Sequence, residues 1–295
     1  MGKSYNRLLK TTKRKIPRGE LWIAGEVLRE IGLSPKQESL IALGADLDAD
    51  ICFFSYTSPL ESLPVQGGAM ERLVQKARAA GLLCGVTVDG PFERAVARHG
   101  FMEVLYWFAQ PDCLPERFEK TAEQAAAELT SAARAGADLL LLCDDIAYNA
   151  GPYFSPAQFQ SALLPLYRQL KESLPAGRPV GFHSDGKVTA ILPLLVAEGF
   201  TVFNLEPEAM PPAELDQKLP EGTILLGGIQ AAWLMGPGAV DEQAADIRKY
   251  IAGLSHSRPL ILASACGISS ADQLERLRQI YQLADQISAG KPGLA

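Results

Sequence analysis

Eight short apolar runs recur along this 295-residue chain, each closing at or beside a turn or polar residue, with amphipathic stretches between them. They cover 21–25, 51–56, 82–88, 137–143, 179–183, 201–205, 223–226 and 260–265. A run such as Leu139, Leu140, Leu141 and Leu142 does not alternate apolar with polar residues. As a strand it must be buried on both faces, which a parallel sheet covered by helices provides. The stretches 69–80, 115–135, 156–173, 188–198, 241–254 and 271–289 carry apolar residues at helical spacing, most of them opening after a Pro, Ser or Gly. Strand and helix alternating in this way predict an α/β fold, a (β/α)8 TIM barrel, whose active site lies at the carboxyl ends of the strands. A doubly wound open sheet is the alternative. No Gly-x-Gly-x-x-Gly follows the first run and no Walker-type loop occurs, so the usual phosphate-cradling marks are missing.

With 47% hydrophobic and 21% charged residues the chain can bury a large core, and no linker divides it. We therefore expect one barrel domain over residues 20–295, preceded by a basic arm over 1–19. Lys3, Arg7, Lys10, Lys13, Arg14, Lys15 and Arg18 all precede the first acid, Glu20, and are expected to be solvated. The net charge of −6 argues against a general nucleic-acid or anionic-membrane surface. No apolar run approaches the ~18–20 residues of a membrane span, and the arm lacks the apolar segment of a secretory signal. A cytoplasmic protein without nucleic-acid or membrane partners is expected. The scattered Cys52, Cys84, Cys113, Cys143 and Cys266 contain no Cys-x-x-Cys pair and read as reduced thiols. Cys52, Cys84 and Cys143 lie in apolar runs, as small core residues do. His99 reads as the end of a helix and His256 as part of a polar loop.

Polar groups gather at the predicted strand ends. Glu26 follows the first run, Tyr56 ends the second, Asp89 follows the third, and Asp144 and Asp145 follow the fourth. His183 and Asp185 mark the fifth, Glu206 the sixth, Gln230 the seventh and Cys266 the eighth. Residues two apart on an extended chain point to the same side, so His183 and Asp185 face one space. Several carboxylates around a single cavity repel one another unless a cation is present. Imidazole, thiolate and carboxylate together favour zinc, with His183, Asp185 and Cys266 as three ligands and Glu206 as a fourth.

Four segments together resemble the uroporphyrinogen decarboxylase superfamily, which includes corrinoid-dependent methyltransferases as well as the haem-pathway decarboxylase. They are Cys143-Asp-Asp-Ile-Ala-Tyr-Asn-Ala-Gly-Pro-Tyr-Phe-Ser-Pro, Phe182-His-Ser-Asp-Gly-Lys-Val, Leu226-Gly-Gly-Ile-Gln and Leu262-Ala-Ser-Ala-Cys-Gly-Ile. The resemblance spans roughly residue 90 onward and independently implies the TIM barrel. The decarboxylase branch carries an Arg-Gln-Ala-Gly-Arg segment near its N-terminus that holds substrate carboxylates. Here the comparable stretch is Leu21-Trp-Ile-Ala-Gly-Glu, with an acid where cations belong. The methyltransferase branch binds zinc through His-x-Cys and a distant Cys. His183 and Cys266 match two of those positions, and Asp185 stands where the first Cys would be.

The resemblance therefore implies a zinc methyltransferase that moves a methyl group between a small methylated substrate or thiol acceptor and a corrinoid carried by a separate partner protein. In that reading His183, Asp185, Asp145 and Asp89 are catalytic, while Tyr56, Asp144, Tyr148, Asn149, Glu206 and Gln230 bind substrate. Two alternatives stand beside it: a metal-free lyase or decarboxylase using the same carboxylates and His183, and a non-catalytic ligand-binding barrel.

Overall fold

The computed structural model describes residues 8–9, 12, 14–56, 68–110 and 114–288. Lys3, Arg7, Lys10, Lys13 and Cys113 lie outside the described residues. Seven parallel strands form one curled sheet in the order β1 (Ile51–Ser55), β2 (Leu83–Asp89), β3 (Leu139–Cys143), β6 (Val180–Ser184), β7 (Val202–Leu205), β8 (Ile224–Ile229) and β9 (Leu260–Ser264). The short strands β4 (Ala147–Tyr148) and β5 (Gly151–Pro152) pair antiparallel in the loop after β3. These seven parallel strands match seven of the eight apolar runs.

The eighth position is filled differently from expectation. Residues 21–25 are not a continuous strand: the chain makes isolated parallel bridges at Arg18 with Leu262 and at Ile23 with Ile268, and Gly25 already begins a helix, Gly25–Glu30. Even so, this segment closes the barrel. The amides of Asp50 and Ile51 donate to the Arg18 carbonyl on one side, while Gly19 donates to Leu262 and Leu262 donates to Pro17 on the other. Between the two bridges the side chain of Glu20 substitutes for backbone rungs, accepting from the Ser264 amide at 3.1 Å and lying 2.7 Å from its hydroxyl. Gly19 is required by this closure, because a Cβ there would lie 2.4 Å from the Ile51 carbonyl oxygen.

The end of the expected arm is therefore barrel wall. Arg18 is buried and donates to the Tyr281 carbonyl and to Asp285, and Arg14 forms ion pairs with Asp48, Asp50 and Asp285. Neither is a solvated arm residue.

Alternation along the strands sorts the core into two parts. Ile51, Phe53, Leu139, Leu141, Cys143, Val202, Ile224, Leu226, Ile261 and Ala263 fill the barrel interior. Their neighbours, among them Cys52, Phe54, Cys84, Val86, Leu140, Leu142, Phe182 and Phe203, pack outward with the apolar faces of the helices. The helices Ala69–Ala79, Leu114–Ala135 and Ala271–Ser288 follow the predicted stretches closely. The stretch 156–173 instead forms two helices, Pro156–Ala162 and Leu164–Glu172, because Pro165 cannot donate the amide that would carry one helix across the junction. His256, expected in a loop, lies in the last turn of the helix Ala244–Ser257. No helix among the described residues is long and apolar enough to cross a membrane.

Candidate metal centre

Parity decides which side chains reach the carboxyl end of the barrel. In register, Asp89 pairs with Cys143, Cys143 with His183, and His183 with Asn204, so four adjacent strands present these side chains on one inward layer. His183 is buried, and its Nδ1 lies 2.5 Å from Asn204 Oδ1. The Asn204 amide nitrogen donates to the carbonyls of Leu226 at 2.6 Å and Ser264 at 3.3 Å, which fixes the orientation of its oxygen. An amide oxygen only accepts, so His183 carries its hydrogen on Nδ1 and aims Nε2 elsewhere.

Nε2 faces two carboxylates, with Asp145 Oδ1 at 3.3 Å and Asp185 Oδ1 at 3.9 Å. One donor atom from each of Asp145, His183 and Asp185 lies within 4.8 Å of the others, the sole grouping of this kind among the described residues. The loop holds its own geometry: the Asp185 amide donates to Asp145 Oδ1 at 2.9 Å, and the Gly186 amide donates to Glu206 Oε2 at 2.9 Å. Trp22 packs edge-on against the imidazole with ring centroids 4.6 Å apart.

Burial disfavours the imidazolium of His183, but the hydrogen bond and charge of Asp145, with help from Asp185 and Asn204, outweigh it and raise the pKa. Burial likewise opposes ionisation of Asp145, yet the contacts with His183 and the Asp185 amide prevail and lower it. Asp185 is pushed up to about 6, first by burial and then by Asp145, Glu206 and Glu208 against the attraction of His183. Glu93 is pushed up to about 7 by burial and by the nearby charges of Asp145, Asp89 and Asp185, with His183 opposing. The charges that act on Asp185 and Glu93 are thus carboxylates and one imidazole, an arrangement a bound cation would relieve. One histidine anchored at Nδ1 and two carboxylates make a donor set that fits zinc.

The structure brings together only part of the sequence-predicted site. His183, Asp185 and Asp145 converge, with Asp89 and Glu206 on adjacent strand ends. Cys266 does not join the cluster. It is exposed on the rim, donates weakly to the Gly267 carbonyl at 3.6 Å, and is kept a thiol by partial burial of its sulfur and by the charge of Glu20. Asp144 is fully buried and spent on structure: it accepts from the amides of Phe92 and Glu93, capping the helix Pro91–His99, and from the Tyr167 hydroxyl at 2.6 Å. Burial pushes it up to about 7 in spite of these donors. Tyr56 follows the outward parity of Cys52 and Phe54 and packs with the outer core, its hydroxyl near Ser131 and Glu128 of the helix Leu114–Ala135. Gln230 precedes the helix Ala231–Met235, near Tyr250 of the helix Ala244–Ser257. Tyr148 and Asn149 are exposed on the β4–β5 hairpin, where Tyr148 stacks on Tyr153 at 5.8 Å. Glu26 is exposed and paired with Arg29.

Sequence reasoning missed Asn204, Trp22, Glu20 and Glu93. A single amide inside an otherwise apolar buried strand had to find partners, so Asn204 carried a signal. Trp22 carried none.

The model of the uroporphyrinogen decarboxylase (URO-D) family matches residues 50–287. The methylcobamide:CoM methyltransferase MtaA of Methanosarcina barkeri (strain Fusaro / DSM 804) is 25% identical over 203 residues, covering 68% of this chain and 58% of that protein. A second Methanosarcina barkeri MtaA matches to the same extent. The chain thus spans less than two thirds of these relatives' length. Among solved structures, a methyltransferase from Methanosarcina mazei superposes with a TM-score of 0.70 at 17% identity, covering 96% of this chain and 98% of that one. A D-psicose 3-epimerase from Clostridium cellulolyticum H10 superposes with a TM-score of 0.52 at 12% identity, over 85% of this chain and 92% of its own. At these identities the superpositions speak for the fold alone.

Proposed function

This chain belongs to the uroporphyrinogen decarboxylase (URO-D) family, and from that premise we propose that it is a zinc-dependent methyltransferase acting between a small methylated substrate or thiol and a corrinoid held by a separate partner protein. The observation that carries the reading is His183: its Nδ1 is tied to Asn204, and its Nε2 is turned toward Asp145 and Asp185. Zinc held by these three residues would act as a Lewis acid, keeping a bound thiol as thiolate or drawing electron density from the oxygen of a methyl ether. Similarity to methylcobamide:CoM methyltransferases supports the corrinoid as the other methyl carrier.

The chain's own residues would divide the remaining tasks. Asn204 holds the imidazole in one tautomer, and the Asp185 amide holds the Asp145 carboxylate beside it. Trp22 covers one side of the imidazole and keeps water from it. Glu93, with a pKa near neutrality, can hold or release a proton at its carboxyl group. Asp89 and Glu206 complete an acidic wall that would repel a polycarboxylate, which weighs against uroporphyrinogen as substrate.

The metal-free alternative rests on one observation too, the 3.3 Å approach of His183 Nε2 to Asp145, which would serve as an acid–base pair in a lyase. Metal analysis of anaerobically purified protein separates the two. We expect about one zinc per chain, lost in His183→Ala and Asp145→Asn and retained in Cys266→Ser. Wild-type protein without bound metal would sink the zinc reading, and decarboxylation by such protein would favour the lyase.

A further inference from the structure

The hydrogen bonds that begin at the His183 imidazole do not stop at Asn204. Asn204 donates to the carbonyl of Ser264, the last residue of β9, and Ser264 is itself held by Glu20. Glu20 Oε2 accepts from the Ser264 amide at 3.1 Å and Oε1 from the Ser264 hydroxyl at 2.7 Å, with the Leu21 amide also donating to Oε1 at 3.2 Å. The Ser264 hydroxyl oxygen accepts in turn from the Gly267 amide at 3.0 Å, which leaves its hydrogen for Glu20. Glu20, Ser264, Asn204 and His183 are all buried, and hydrogen bonds join them in that order without a gap.

Which ring nitrogen of His183 carries the hydrogen depends on which way round the Asn204 amide sits. Reversed, the amide would present its N–H to Nδ1, and the ring would carry its own hydrogen on Nε2, the nitrogen that faces Asp145 and Asp185. A metal needs the lone pair of that nitrogen. Two carbonyls oppose the reversal, because it would set an amide oxygen against the oxygens of Leu226 and Ser264 that the amide nitrogen now bonds. The two holds are unequal. The bond to Leu226 is 2.6 Å long, whereas the bond to Ser264 is 3.3 Å, already past the usual limit of about 3.2 Å, so a small displacement of the Ser264 peptide releases it.

We propose that Glu20 is a positioning residue for the candidate metal centre: it fixes the Ser264 peptide, the Ser264 carbonyl keeps the Asn204 amide in one orientation, and Asn204 keeps His183 protonated on Nδ1. Partners beyond the ligands themselves orient a metal site in this way, and a buried network polarises along its length. The same short stretch of chain carries Trp22 to the imidazole, so residues 20–22 set both the tautomer and one side of the ring. The consequence for zinc rests on the function proposed above, whereas the tautomer is a property of the metal-free protein.

The test is nitrogen-15 NMR of the imidazole rings in the full chain, metal-free and at an alkaline pH where the ring is neutral. The chain has three histidines, so the signals missing from His183→Ala identify His183. Wild type should show a single tautomer with the hydrogen on Nδ1. Glu20→Gln keeps the shape of the side chain but sets an NH2 group against one of the Ser264 donors; about a tenth or more of the ring should then carry its hydrogen on Nε2. Zinc affinity, read by competition with a chelator, should fall about three- to tenfold, less than the 10–100-fold typical of losing a ligand's direct partner. Ser264→Ala removes only the hydroxyl arm and should give the same change in smaller measure; it decides the matter where Glu20→Gln does not fold. Tyr167→Phe, which loses a hydrogen bond to Asp144 instead, controls for lost stability and should keep the single tautomer. The wild-type tautomer in folded Glu20→Gln overturns the proposal, as does an equal shift in Tyr167→Phe. A wild-type protein that binds no zinc would remove the metal reading and leave the tautomer test of Glu20 intact.

Discussion

Asn204 offers the sharpest test of the candidate centre, because it is buried, makes three hydrogen bonds and touches no substrate in the proposed reading. Replacing it by Ala strands the His183 Nδ1–H in a dry interior, at a cost of about 1–3 kcal/mol, and removes its two bonds to the Leu226 and Ser264 carbonyls, worth about 0.5–1.5 kcal/mol each. The sum is about 2–6 kcal/mol, against a total stability of about 5–15 kcal/mol for a typical domain, so most of that range leaves a folded protein. The effect on metal should be separable from the effect on stability. Loss of a partner that orients a ligand typically costs about 10–100-fold in affinity, or about 1.4–2.8 kcal/mol. Urea unfolding of the metal-free protein measures the first quantity, and competition with a chromophoric chelator measures zinc affinity. Asn204→Asp keeps an acceptor for Nδ1 but sets its second oxygen against the Leu226 and Ser264 carbonyls that the amide nitrogen bonds, so it should be less stable than the wild type in the same urea titration. A folded Asn204→Ala protein that binds zinc within about threefold of wild type would refute the orienting role.

Three further outcomes are expected. Burial pushes Glu20 up to about 7, against the lowering hydrogen bonds from Ser264; the folded state then keeps a proton that the unfolded chain releases near pH 4.5, so this contribution to stability is full below about pH 4.5 and lost as pH rises through 7. The difference is about 3 kcal/mol by linkage, and it should appear as a flatter stability–pH profile for Glu20→Gln than for wild type between pH 5 and 8 in urea titrations. Tyr167→Phe removes the 2.6 Å hydrogen bond to buried Asp144 and should destabilise by about 1–3 kcal/mol in thermal unfolding, with metal content unchanged. Gly90→Ala would put a Cβ 2.2 Å from Asp144 Cγ, forcing apart the capped helix Pro91–His99, and should cost about 1–3 kcal/mol or more by the same measurement.

Much of the fold was legible because burial on both faces is a local property of the sequence. The runs ending at Cys143, His183 and Leu205 became β3, β6 and β7 nearly residue for residue. The first run misled because apolar character does not reveal how a strand is paired. Arg18, read as part of a solvated arm, bridges to β9, while Glu20 supplies with its side chain the rung that backbone would otherwise provide. The candidate site was half legible for the same reason. His183 and Asp185 share a face by their spacing alone, but Asp144 and Asp145 are adjacent and therefore diverge, and nothing local says which one points inward.

What the sequence by itself determined is the alternation of strand and helix, the place of the polar strand ends, and the common face of His183 and Asp185. Periodicity and burial act over a few residues, so a linear reading can follow them. What only the tertiary structure decided is which strand ends meet. Asp145 joins His183 while Cys266 stays on the rim, and Tyr56 turns outward to the helix layer. Those outcomes depend on the register between strands and on how the barrel closes, and both are set by packing between segments far apart in the chain.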